Sequence, residues 1–246
     1  MKQFVIVGRE SKTFLDRHPK LYEQIFSHNS STILDFTRIF GGRRKFEALL
    51  AIAFFYTALS LLYSFVGLLH YQPGSHFHEY VLTRFAIEVG GHFLFGFVAA
   101  LPLMEFGIAM LTGSLAVLID IDHLLSALNF DVTGRPDHSI LYMILSALFV
   151  LYLAKRLHLA QGFTTKLAFV APISLFAHFS YDVFASSGTV FQPLIPFSFQ
   201  AYYFPYYTWA IFEVAALILA GLGLYLSRMR KNPVNEIVPQ AKQLKR

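Results

Sequence analysis

The chain has 246 residues, 55% hydrophobic and only 14% charged, with a formal net charge of +5. A soluble domain carries about 25% charged residues, so the composition argues against an ordinary soluble enzyme and for lipid as the solvent. Cysteine is absent, which excludes disulfides, thiolate metal ligands and cysteine nucleophiles; the basic residues sit in short clusters beside apolar runs, a mark of membrane topology rather than of nucleic-acid binding.

Residues 1–45 are mixed and polar, and end in Arg43, Arg44 and Lys45. No short apolar run with a small-residue cleavage site opens them, so a cleavable signal peptide is not expected. They are predicted to form one or two short helices at the membrane surface. Six apolar runs follow, at about 46–70, 85–104, 106–128, 139–156, 166–185 and 207–230, each near the 20 or so residues a spanning helix needs. The second and third should form a hairpin broken between Pro102 and Gly107. Residues 231–246 make a polar, basic tail. The predicted fold is therefore all-α, a polytopic bundle with six transmembrane helices over 46–230. The 27 Phe and 13 Tyr suit interfacial rings.

Orientation follows from Lys and Arg bias. Arg43, Arg44 and Lys45 precede the first run; Lys155, Arg156 and Lys166 bracket the fourth-to-fifth connection; Arg228, Arg230 and Lys231 follow the sixth. Six spans put all three clusters on one side, which should be cytoplasmic with both termini. The opposite loops hold only Arg84 and Arg135.

The ionisable residues inside the runs are costly, roughly 2.5–3.5 kcal/mol for an Asp at a helix centre. Their depths agree. Glu88 and His92 are four apart on one face of the second run, with His92 about 10 Å from the outer end. In "LIDIDH" of the third run, Asp122 and His123 lie about 8–9 Å from the outer end, and Asp120 about a turn deeper. His138 opens the fourth run, and His178 and Asp182 share a face of the fifth, about 12 and 6 Å down. Four helices thus bring carboxylates and imidazoles to one layer on the non-cytoplasmic side. A shared cation offsets their cost, and oxygen and imidazole ligands without thiolate suit zinc, with manganese or iron as alternatives. The seven residues Asp120, Asp122, His123, His92, His138, His178 and Asp182 exceed the four ligands of one tetrahedral ion, so one or two ions fit.

Blander roles compete. A lone intramembrane His is often a hydrogen-bond partner between helices. His76 and His78 offer a metal-capture pair, with a solvated loop as the simpler reading, and Asp137 in "RPDHS" reads as a cap for the fourth helix. Glu105 and Glu213 read as structural or interfacial, and His18, His28 and His158 fall on the far side.

At these residues the sequence resembles the YdjM-type family of inner-membrane metal-dependent hydrolases. That family's pattern is a "GH" opening a helix, then "PDIDH", then "HRxxTHS", then H-x-x-x-D before a Gly and Pro loop. This chain reads "GGHFLFG" at Gly90–Gly96, "LIDIDH" at Leu118–His123, "GRPDHSIL" at Gly134–Leu141 and "HFSYDVFASSGTVFQPLIP" at His178–Pro196, in the same order over roughly residues 85–200. Ile119 stands where the family has Pro, and the first His of "HRxxTHS" is missing, so only His138 carries over from that motif. Such a site holds one metal, uses Asp137 instead, or has lost activity. The resemblance implies a multi-span helical protein of the inner membrane and a metal-dependent hydrolytic activity.

The reading is a membrane-embedded metal-dependent hydrolase with six metal ligands: His92, Asp122, His123, His138, His178 and Asp182. Asp120 and Glu88 are its catalytic carboxylates, one acting as general base, and Arg135 holds a substrate phosphate. A site near the outer interface suits a lipid or phosphoester substrate, with membrane lipids as the surrounding partners and no nucleic acid. The alternatives are an ion or proton transporter and a non-catalytic metal-binding membrane scaffold.

Overall fold

The computed structural model describes residues 37–69, 82–121 and 135–230. Met1–Phe46 forms a unit of its own. Its described end is a turn in which the Gly42 amide donates to Thr37 O at 2.9 Å. Gly41 and Gly42 take left-handed φ values of 81° and 104° there, which glycine adopts without steric cost.

The rest is mostly helical. Helix α1 is Arg43–Ser64, continued by a 3₁₀ turn at Phe65–Leu69. Helix α2, Leu82–Ala100, and α3, Phe106–Leu118, form the expected hairpin. Its break is a 3₁₀ turn, Leu101–Leu103, with Pro102 at its start, followed by Met104 at φ 54° and an extended Glu105. Helix α4 is Ile140–Arg156, α5 is Gln161–Leu167, α6 is Val170–Ala185 and α7 is Thr208–Met229. Pro172 has no amide to donate to Ala168, and the chain breaks between α5 and α6 at Ala168 and Phe169.

Among the described residues, four segments are long and apolar enough to cross a membrane: Arg43–Gly67, Ala86–Leu103, Gln161–Ala185 and Thr208–Met229. The expected third and fourth spans are represented by shorter helices, 13 residues in α3 and 17 in α4. Regular helix in α3 stops where Asp120 leaves helical geometry (φ −82°, ψ 17°) in the turn Ile119–Ile121. The cap of α4 is Ser139, whose side chain accepts from the Tyr142 amide; Asp137, which the sequence put in that role, points to α1 instead.

The α5–α6 segment is the axis of the bundle: 67% of its apolar stretch is buried, against 22–33% in the other three. Backbones approach closely beside it. A Cβ on Gly96 of α2 would lie 3.0 Å from Gly113 Cα of α3, and one on Gly113 would lie 2.7 Å from Phe93 O. Small residues allow this crossing, which brings His92, one turn before Gly96, towards the end of α3.

The all-α expectation misses one feature. Strands β1, Gly188–Phe191, and β2, Tyr202–Pro205, pair antiparallel with Gly188 opposite Pro205 and Phe191 opposite Tyr202. The pair follows α6 directly and lays Phe191 on Phe179 with ring centroids 4.2 Å apart. Phe197, Tyr203 and Tyr207 nearby are exposed, as rings at a membrane–water boundary are.

Candidate metal centre

Each candidate side chain is delivered by a local feature of the chain. Gly91 lets α2 close on α6: a Cβ there would sit 1.9 Å from Tyr181 Cζ. Tyr181 in turn donates to Ile87 O at 3.2 Å and meets the His92 ring edge-on at 4.6 Å. On α6, His178 and Asp182 are one turn apart and face the same way. The kink in the Ile119–Ile121 turn carries Asp120 to the end of α3. The short turn Pro136–His138 supplies Arg135 and His138 from the start of α4.

These groups converge. His92 Nε2 lies 3.1 Å from Asp120 Oδ2 and 3.4 Å from Asp182 Oδ1. His178 Nε2 lies 3.4 Å from Asp120 Oδ1 and 3.4 Å from Asp182 Oδ2. His138 Nε2 is 3.5 Å from Asp120 Oδ1, 3.6 Å from Asp182 Oδ2 and 2.7 Å from His178 Nε2. The His92 and His178 rings stack at 3.9 Å with 8° between their planes. All three histidines are buried. Arg135 bridges the carboxylates, donating from Nη2 to Asp120 Oδ1 and from Nη1 to Asp182 Oδ2 at 3.1 Å.

One contact fixes the chemistry of a histidine. His178 Nδ1 lies 2.7 Å from Ala116 O. A carbonyl can only accept, so Nδ1 carries a proton and the ring turns its Nε2 to the cluster. Orientation of an imidazole through its other nitrogen is the usual arrangement in histidine metal sites.

The donor set fits a first-row divalent ion. Nitrogen and oxygen ligands at about 2.0–2.2 Å from zinc lie about 3.3–3.6 Å from each other in a tetrahedron, and most of the distances above fall there. Two groups bring their ligand atoms within 4.8 Å of one another: His92, Asp120 and His178, and His138, His178 and Asp182. His178 belongs to both.

The structure thus brings together His92, Asp120, Arg135, His138, His178 and Asp182. Asp120, assigned a catalytic role from sequence, lies among the ligand atoms. Glu88 is half-buried one turn before His92 and belongs to neither group. Asp122 and His123 lie outside the described residues, as do His18, His28, His76 and His78. Glu105 meets Lys166 at 3.5 Å.

Sequence reasoning missed the supports. The Ala116 carbonyl carries no residue-type signal. Tyr181 was signalled faintly by the Gly90–Gly91 pair beside His92, since a bare helix surface implies a close neighbour. Phe191, whose ring lies over His138 at 6.0 Å, depends on the unforeseen strand pair. Asp137, fully buried, accepts from Ser60 Oγ at 3.1 Å and Ser64 Oγ at 2.5 Å, tying the turn that carries His138 to α1.

No curated protein and no solved structure matches the chain. The profile of the family described as YdjM inner membrane protein matches residues 87–239, which takes in every helix from most of α2 onwards and all six converging side chains. That is more than half of the 246 residues, and the chain belongs to the YdjM inner membrane protein family.

Proposed function

We propose that this protein is a membrane-embedded metal-dependent hydrolase whose site lies near the non-cytoplasmic face and acts on a lipid or another phosphoester. The observation that carries the reading is the meeting of three imidazole Nε2 atoms and two carboxylates, from four separate parts of the chain, at distances of 2.7–3.6 Å. Arg135 offsets one of the two carboxylate charges, and five such groups with no further cation would be an expensive arrangement inside a bilayer.

In this reading His92, His138, His178, Asp120 and Asp182 hold the ion, zinc being the first choice and manganese or iron the alternatives. Asp122 and His123 extend the ligand set if a second ion is present. A bound ion of this kind supplies Lewis acidity and brings the pKa of water to about 7. The chain's own residues do the rest. Asp120 and Asp182 carry two negative charges and Arg135 one positive charge, so a divalent ion leaves the described cluster with a net positive charge suited to an anionic substrate. Arg135 already spans both carboxylates with its planar fork, and the same fork suits two oxygens of a phosphoester. Glu88, one turn from His92, is the general base of this reading. The buried rings of Phe179 and Phe191 wall the cluster and keep water scarce.

Six spans with both termini cytoplasmic are part of the proposal, since the basic clusters then share one side. The test is hydrolysis of phosphoester and phospholipid probes by protein purified from metal-replete cells. Turnover that chelation abolishes, metal restores and Asp182→Asn lacks supports the reading. Bound metal with no turnover on any probe leaves the scaffold alternative in its place.

A further inference from the structure

At the opposite end of the helices from the histidine cluster lies a cleft that the proposed activity does not use. It sits between the last turn of α4, the start of α5 and the last turn of α7, and has a volume of about 770 Å³, within the range of about 300–1,000 Å³ for small-molecule sites. Its partly covered wall is apolar, with Leu151, Phe169 and Leu226, and its exposed edge holds Lys155, His158 and Arg230. No Asp or Glu lines it.

The cations at this end are not equivalent. Lys166 is buried and meets Glu105 at 3.5 Å. Arg156 Nε donates to Tyr152 Oη at 3.2 Å, and Arg228 Nη2 reaches Met104 Sδ at 3.4 Å. Lys155 and Arg230, by contrast, have no ion pair among the described residues and both face the one cleft. Positive charge at helix ends is ordinary in membrane proteins, but two unneutralised cations over one apolar recess make a specific shape: a charged edge above an oily wall.

We propose that this cleft binds the headgroup and upper acyl chain of an anionic phospholipid. The phosphate would meet Lys155 and Arg230, and the chain would lie along Leu151, Phe169 and Leu226. Basic pockets between membrane helices recognise anionic headgroups in this way. The tail that follows Arg230 is a poor occupant by charge, because Lys231, Lys242, Lys245 and Arg246 outnumber its one acidic residue, Glu236. The inference stands apart from the hydrolase reading.

The test is native mass spectrometry of the full chain reconstituted in phosphatidylcholine nanodiscs with a minor share of phosphatidylglycerol. Wild type should retain phosphatidylglycerol in excess of its share. K155Q/R230Q, both exposed and so tolerated by the fold, should lower the retained ratio by about tenfold, while R43Q/R44Q, which removes equal charge elsewhere, should change it less than about twofold. Soluble glycerol 3-phosphate should not displace the lipid. Equal ratios in wild type and K155Q/R230Q, an equal loss in R43Q/R44Q, or ready displacement by glycerol 3-phosphate would each overturn the proposal; the last would make the cleft a site for free phosphate compounds.

Discussion

Two sets of carboxylates, Asp137 fully buried and Asp120 with Asp182 partly exposed, lie close together in this protein and are satisfied in different ways. Asp137 is surrounded by hydroxyls: Ser60 and Ser64 donate to one of its oxygens, and they come from a helix that carries none of the histidines. Asp120 and Asp182 are surrounded by imidazoles and a guanidinium. The two hydroxyls hold the Asp137 carboxylate by hydrogen bonds from α1. The imidazoles bring their Nε2 atoms to the same point as the carboxylates. Residue type is shared between the two sets and does not by itself mark a candidate metal centre; the chemistry of the partners is what differs.

Removing charge from each set separates them most sharply. Asp182→Asn should lower metal affinity by more than the roughly 10–100-fold typical of losing a supporting partner, because a ligand must be ionised to hold the ion. Metal retained through dialysis against a weak chelator reads this directly. Arg135→Gln should come next. Metal content should be unchanged, and kcat/KM on a phosphoester should fall by about 10–100-fold, the worth of charge-assisted hydrogen bonds of about 1.5–3 kcal/mol. An equal loss of metal in Arg135→Gln would make the arginine a scaffold for the carboxylates rather than a substrate group.

Gly91→Ala tests the support beneath the cluster. The added Cβ would overlap the Tyr181 ring, and overpacking of this kind costs about 1–3 kcal/mol. Because Tyr181 meets the His92 ring edge-on, metal affinity should fall by about tenfold, as for other supporting contacts. The thermal midpoint and the metal titration check both effects. Asp137→Asn should have the smallest effect. Asn keeps an acceptor for Ser60 and Ser64, so the loss is about 1 kcal/mol of stability, seen as a small drop in thermal midpoint with metal binding intact.

Part of the candidate site was legible in the sequence, while Asp122 and His123 of the same expectation lie outside the described residues. His92, Asp120, His138, His178 and Asp182 could be brought to one depth because apolar runs fix helix ends and each residue rises about 1.5 Å. Depth, however, says nothing of rotation about the helix axis. The bare surface at Gly91 that seats Tyr181, and the close crossing at Gly96 and Gly113, are set by tertiary packing. The strand pair escaped for a different reason. Gly188–Phe191 and Tyr202–Pro205 are each four residues long, too short for a period-2 pattern to stand out between two apolar helices. Asp137 was misread as a cap because Ser139 two residues on offers the same chemistry, and only the position of α1 decides between them.

The most direct test is the metal content of three purified proteins expressed under identical metal-replete conditions: wild type, Asp182→Asn and Asp137→Asn. The account predicts near-stoichiometric metal in wild type and in Asp137→Asn, and little in Asp182→Asn. Metal absent from wild type, or equal in all three, would contradict it.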